Sequence, residues 1–253
     1  MNSPAQENGF SKVPELTLVF WIIKIFATTL GETGGDAVSM SMNLGYFVGT
    51  AIFAALFLIA VTIQIKALRF HPIIYWTTII ATTTVGTTMA DFADRSLGIG
   101  YAGGSTLLFI LLLASLATWH RKLGSISVDT VSSAESEIFY WVTIMFSQTL
   151  GTALGDWTAD SAGFGYLGSA IIFGTLIAII GALYFWTKIS RTFLFWAAFI
   201  LTRPLGAVVG DFLDKPHDHG GLALSRYTAS ATLLLLIIIC ILIFPHRAAE
   251  SSH

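Results

Sequence analysis

Four times along this chain a tryptophan is followed ten residues later by a glycine and fifteen residues later by an aspartate. The tryptophans are Trp21, Trp76, Trp141 and Trp196, the glycines Gly31, Gly86, Gly151 and Gly206, and the aspartates Asp36, Asp91, Asp156 and Asp211. A sequence that writes one carboxylate four times at one register, inside strongly apolar surroundings, reads as four copies of a helical unit sharing a site. Composition sets the solvent around those copies. With 253 residues, 55% hydrophobic, 11% charged and a mean hydropathy of +0.76, the chain is too apolar for a soluble domain and reads as a polytopic membrane protein. Residues 1–13 are polar and have no charged start leading into an apolar run and a cleavage site, so no removable signal peptide is expected. The single cysteine, Cys240, reads as a small core or lipid-facing residue.

Apolar runs of roughly the 20 residues needed to cross a bilayer fall at Leu16–Gly35, Gly45–Ile65, Ile73–Ala90, Gly100–Thr118, Ile138–Gly155, Gly165–Thr187, Thr192–Gly210 and Leu222–Phe244. They make two helices per repeat. An even number of spans gives every copy the same orientation, with a pseudo-symmetry axis along the membrane normal. The tryptophans are separated by 55, 65 and 55 residues, so two similar halves are joined by a polar linker. The predicted organisation is a tail at 1–13, a first half at 14–120, a linker at 121–137, a second half at 138–244 and a tail at 245–253. Lys12, Lys66, Arg69, Arg121, Lys122, Lys188, Arg191 and Arg247 lie on the side of the N-terminus, and Arg95, Lys215 and Arg226 on the other. Positive charge is retained on the cytoplasmic face, which predicts an inner-membrane protein with both termini cytoplasmic and the aspartates at the external end.

The columns of the repeat set the faces of the helices. Seven residues after each tryptophan stand Thr28, Thr83, Gln148 and Arg203; eleven after stand Glu32, Thr87, Thr152 and Ala207; fifteen after stand the aspartates. Steps of four keep to one helical face, so each odd-numbered helix carries a polar stripe ending in its aspartate. Such a stripe is costly against lipid, and the odd helices are expected to turn it inward. One residue before these positions run Gly31 and Gly35, Gly86 and Ala90, Gly151 and Gly155, and Gly206 and Gly210, small pairs that let helix backbones approach closely. The even helices open with Gly45-Tyr46, Gly100-Tyr101 and Gly165-Tyr166 and continue as nearly pure apolar runs, which places them outside. The fourth repeat departs here, with Gly220-Gly221, so its second helix is expected to pack differently. The pairs Phe20-Trp21, Tyr75-Trp76, Tyr140-Trp141 and Phe195-Trp196 read as aromatic-belt anchors at the inner interface. The predicted fold class is all-α integral membrane: eight transmembrane helices from four parallel two-helix repeats, an inner ring of odd helices and outer even helices.

The chain resembles a bacterial membrane-protein family defined by four tandem repeats of unknown function, each with two transmembrane segments and a tryptophan. The resemblance spans about Lys12 to Phe244. It rests on Lys12 to Glu15, Phe20-Trp21 with Lys24, Gly31-Glu32 with Asp36, Gly45 to Thr50, and the tryptophan, glycine and aspartate columns. It implies the architecture and no settled activity, although a link of some members to metal tolerance leans toward ion handling.

Four carboxylates converging at one end of a bundle would make a hard, oxygen-rich mouth suited to magnesium, calcium or manganese, and attractive to trivalent metal. Asp36, Asp91, Asp156 and Asp211 are the candidate metal ligands. Thr28, Glu32, Thr83, Thr87, Gln148 and Thr152 are the candidate substrate pathway, with Lys24 and Arg203 tuning access. Helix capping is the structural alternative for each aspartate. Nine acids face three bases on the external side, including Asp94, Asp160 and Asp214. The external loop with Asp214, His217, Asp218 and His219 adds imidazole, which widens the candidate metals to cobalt, nickel, zinc or iron; its alternative is a solvated turn. His71, His120, His246 and His253 are assigned no role.

Lys24 and Arg203 lie about 12 and 16 Å into their helices at 1.5 Å per residue, in columns otherwise uncharged. An ionised side chain there needs a partner. They are expected to pair with Glu32 or the aspartates in a closed state, or else to form the binding pair of an anion or small-acid carrier. A third reading is a non-transporting scaffold or sensor. No nucleotide-binding loop of the GxxxxGK[ST] type, HExxH, CxxC or nucleophile–base arrangement is present, so no enzyme activity, no tightly bound cofactor and no nucleic-acid partner are expected. The expected partners are the lipid bilayer and a metal cation as transported ion. Homo-oligomerisation stays open, because small-residue faces serve contacts within and between subunits alike.

Overall fold

The computed structural model describes residues 11–249 and is all-helical, with eight long helices. These are α1 (Leu18–Asp36), α2 (Gly45–Lys66), α3 (Pro72–Asp91), α4 (Tyr101–Leu123), α5 (Ala134–Asp156), α6 (Gly165–Trp186), α7 (Arg191–Asp214) and α8 (Arg226–Ile243). Local signals explain the starts: Thr17 accepts from the Phe20 amide, Pro72 occupies the first turn of α3, Ser133 and Ser136 form a reciprocal capping box, and Ser190 accepts from the Phe193 amide. In the first three repeats the aspartate ends the α-helix and a five-residue π-helical turn follows at once, at Ala37–Ser41, Phe92–Ser96 and Trp157–Ser161. The chain then reverses through Gly45, Gly100 and Gly165, whose positive φ values of 78°, 79° and 65° favour glycine. In the fourth repeat α7 continues as α-helix to Asp214 and the reversal runs through a short 3-10 turn at His217–His219.

Five helices, α2, α4, α6, α7 and α8, are long and apolar enough to cross a membrane by length and composition. The others carry the polar load: α1 has Lys24, Glu32 and Asp36, α3 is rich in threonine, and α5 opens with Glu135 and Glu137. Lys24, Glu32, Asp36, Glu137 and most of the α3 threonines are buried in the bundle, while Glu135 is exposed.

Packing runs cyclically through the repeats. Helices α1, α3, α5 and α7 touch in the order α1–α3–α5–α7–α1. Each even helix packs mainly on the odd helix of the following repeat: α2 on α3, α4 on α5, α6 on α7, and α8 on α1. The last helix therefore occupies the place equivalent to the other even helices, although its sequence departs from theirs. The small residues make the close approaches in the same sense. A Cβ on Gly31 would meet the Thr83 side chain, on Gly86 the Gln148 backbone at 3.0 Å, on Gly151 the Arg203 side chain, and on Gly206 the Thr28 backbone at 2.8 Å.

The aromatic pairs do not form an interfacial belt. Phe20 packs on Trp76, Tyr75 on Trp141, Tyr140 on Trp196 and Phe195 on Trp21, with ring centroids 5.4 to 6.2 Å apart. They are the centre of the main hydrophobic core, and of the eight rings only Trp21 is less than fully buried. The reason is register: Phe20, Tyr75, Tyr140 and Phe195 stand four residues before Lys24, Ile79, Ile144 and Phe199, hence on the inward stripe. The same end is closed by the terminal segments and the linker. Ser11 donates to the Val128 carbonyl, the Lys12 amide to Val131, and the Ala249 amide to Val13, while Pro14 bridges Ala248. The linker is thus part of the core through Val128 and Val131, and the segments at Val13–Pro14 and Ala248–Ala249 meet at this end of the bundle.

Candidate functional site

Read from the closed end, the inward stripes stack as layers. The aromatic layer is followed by Lys24, Ile79, Ile144 and Phe199, then by Thr28, Thr83, Gln148 and Arg203, then by Glu32, Thr87, Thr152 and Ala207, and last by the four repeat aspartates. Every residue in the middle three layers is fully buried, and the aspartates are 1–3% exposed.

Arg203 is the crossbar of this axis. Its Nη2 donates to Glu32 Oε2 at 2.9 Å, to Thr87 Oγ1 at 2.6 Å and to Thr152 Oγ1, so one guanidinium from α7 ties α1, α3 and α5 at one level. Thr87 also donates to the Gly31 carbonyl at 3.1 Å. Thr28 donates within α1 and to the Thr202 carbonyl at 3.2 Å, so its hydroxyl serves the α1–α7 contact. Thr83 and Gln148 have no hydrogen-bond partner among the described residues, and neither has Lys24 Nζ, which lies 4.1 Å from the centroid of the Phe199 ring. The expected pairing of the two buried cations thus holds for Arg203, and Lys24 makes none.

Beyond the crossbar the carboxylates converge. Three sets of side chains bring ligand atoms within 4.8 Å of one another: Glu32, Asp156 and Asp211; Glu32, Asp36 and Asp91; and Asp36, Asp211 and Asp214. The four repeat aspartates therefore meet in one carboxylate cluster, which we call the chamber, and Asp214 joins them. Asp94 and Asp160 belong to none of these sets. The His217–His219 loop also stays apart: His217 Nδ1 lies 3.0 Å from its own loop's Gly221 carbonyl, and Asp218 and His219 are mostly exposed.

The residues that sequence reasoning missed are the chamber's bases. Lys215 Nζ lies 2.6 Å from Asp36 and 3.0 Å from Asp211; Arg95 Nε lies 2.8 Å from Asp91, and its Nη2 3.7 Å from Asp156; Arg226 pairs with Asp214 at 2.8 Å and with Asp36 at 3.6 Å. Burial disfavours the charge on Lys215, but Asp211, Asp36 and Asp214 outweigh it and hold the ammonium well above its usual range. Arg95 is held above its ordinary value in the same way, burial being outweighed by Asp91 and Asp156. The signal was available: Arg95 and Lys215 stand four residues after Asp91 and Asp211, one more step along the inward stripe. Capping does not account for Asp36, Asp91 or Asp156, none of which makes a side-chain cap bond to the turn it precedes, and Asp211 stands inside α7.

Comparison with curated proteins and with solved structures finds no match. A family profile, the Repeat of Unknown Function (DUF347), matches four times in tandem, at residues 19–70, 74–124, 139–190 and 194–248. Each match encloses one of the four register tryptophans, one inward stripe and one pair of helices, and together they take in most of the chain: the protein belongs to the DUF347 repeat family.

Proposed function

We propose that the protein carries cations, above all a divalent metal ion, across a bacterial cytoplasmic membrane, with the chamber of Asp36, Asp91, Asp156, Asp211 and Asp214 as the binding site. In this reading all eight helices span the bilayer, α1, α3, α5 and α7 as an inner ring and the even helices against lipid. Both termini are cytoplasmic and the chamber lies toward the outside. Thr28, Glu32, Thr83, Thr87, Gln148 and Thr152 line the route, with Lys24 and Arg203 along it.

The observation that carries this reading is charge balance in a buried oxygen-rich site. Five chamber aspartates face Arg95, Lys215 and Arg226, while Glu32 is matched by Arg203. Two negative charges remain if all groups are ionised, and one divalent ion neutralises them. Carboxylate oxygens gathered at this spacing suit hard cations such as magnesium, calcium or manganese. The Arg203 crossbar favours a carrier over an open channel, because a fixed guanidinium on the axis repels a cation in transit. Passage then requires Glu32 to exchange Arg203 for the incoming ion, with the bases swinging aside as the metal arrives.

The test is the metal content of cells expressing matched membrane levels of the intact protein, an Asp91→Asn/Asp156→Asn variant, or neither, after exposure to a panel of metals. The expected result is a selective change with the intact protein that the variant lacks. Manganese binding to the purified protein should also tighten about tenfold, roughly 1.4 kcal/mol, in Lys215→Met, which frees Asp36 and Asp211. No selective change for any metal would defeat the reading.

A further inference from the structure

Below the chamber, on the far side of the crossbar, lies a second set of buried groups whose unpartnered donors the cation reading leaves unexplained. Lys24 Nζ, Thr83 Oγ1, the Gln148 amide and the Nε and Nη1 of Arg203 have no hydrogen-bond partner among the described residues. All four residues are fully buried. They come from α1, α3, α5 and α7 and occupy two adjacent layers of the inward stripe, so the four repeats each contribute one. The set is dominated by donors: an ammonium, two guanidinium nitrogens, a hydroxyl and an amide NH2, against the single carbonyl oxygen of Gln148.

We propose that these residues form a binding site for one small monovalent anion with oxygen acceptors, such as nitrate or a one-carbon carboxylate. Charge fixes the valence. Arg203 is balanced by Glu32 at 2.9 Å, which leaves Lys24 as the cation without a counter-charge on this part of the axis. The Phe199 ring at 4.1 Å covers one side of the ammonium but supplies no formal charge. An unpaired ammonium at this depth is costly, and an anion accepting from Lys24 removes that cost while satisfying the remaining donors. Size follows from the neighbours. Ile79, Ile144 and Phe199 complete the Lys24 layer and are fully buried, which confines the proposal to an anion of a few atoms. The site is independent of the chamber: it uses none of the five aspartates, and it stands whether or not the chamber binds metal.

The test uses the full-length protein purified in detergent, with unfolding temperature followed against sodium nitrate and sodium formate at constant ionic strength held by sodium gluconate. The expected result is a saturable rise with nitrate or formate. Its half-saturation should shift at least tenfold in Lys24→Met and in Gln148→Leu and stay unchanged in Asp91→Asn. Lys24→Met should in addition match the anion-saturated wild type in stability, since it removes the uncompensated charge. Absence of a saturable rise in the wild type overturns the proposal, and points instead to an amine held neutral. Unchanged half-saturation in Lys24→Met overturns it as well. If Lys24→Met does not fold, the charge-preserving Gln148→Leu variant decides by the same criterion.

Discussion

The two ends of the bundle axis are built from the same columns of the same repeat, yet they are solved by different physics. At the closed end the column holds Phe20, Tyr75, Tyr140 and Phe195, which bury one another, and its two hydroxyls pair with each other at 2.6 Å. At the other end the column holds four aspartates that repel each other and are held together by Arg95, Lys215 and Arg226. None of these bases is repeated fourfold. An apolar layer can be copied by duplication and packs at once, whereas a layer of like charges is viable only after the copies diverge to supply counter-charges. The departures from symmetry therefore mark the end where the structure is held by electrostatics.

The sharpest way to break this comparison is Arg203→Met, which leaves Glu32 buried and unpaired. It should cost about 3–5 kcal/mol in detergent unfolding, and Glu32→Gln/Arg203→Met should recover most of the loss. Equal damage in the double variant would mean that packing, not charge, holds the crossbar. Next in size is Gly206→Ala, whose new methyl meets the Thr28 backbone. It should cost about 1–3 kcal/mol by overpacking, while Gly174→Ala, with nothing within 4 Å, should be neutral or slightly stabilising. At the closed end Tyr75→Phe should cost on the order of 1 kcal/mol, and Tyr75→Phe/Tyr140→Phe less than that. Neither should alter metal binding, and if either did, the aromatic end would be part of the route. The smallest effect belongs to Lys122→Ala, which removes the largely exposed pair with Glu135 and should change stability by less than about 1 kcal/mol.

Much of the inward face was legible, because steps of four on a helix admit one geometry. The layers from Lys24 to Asp36, and their equivalents in the other repeats, follow from that arithmetic, as do the glycine contacts. The aromatic pairs were misread since Trp and Tyr favour interfaces in general, and only the register with Ile79 and Ile144 reveals that these rings lie on the core stripe. Arg95 and Lys215 were counted as charges on a face, not as partners. Both stand where the fourfold register of like residues ends: the column four residues after the aspartates holds Met40, Arg95, Asp160 and Lys215. The partner of each even helix was not legible at all, since their outward apolar faces are alike in sequence and the choice between neighbouring odd helices is made by packing.

That choice has a consequence for how the protein is made. Because each even helix covers the odd helix of the next repeat, α1 is synthesised well before α8, the helix that covers it. Until then the seam beside α1 is open to α8 of any copy within reach. A half-length ancestor with two repeats would have had its α4-equivalent free to clasp the α1-equivalent of a second molecule. Fusion of two such genes turns an intermolecular clasp into an intramolecular one, and the longer spacing between the second and third tryptophans falls at the seam where the two genes would have joined.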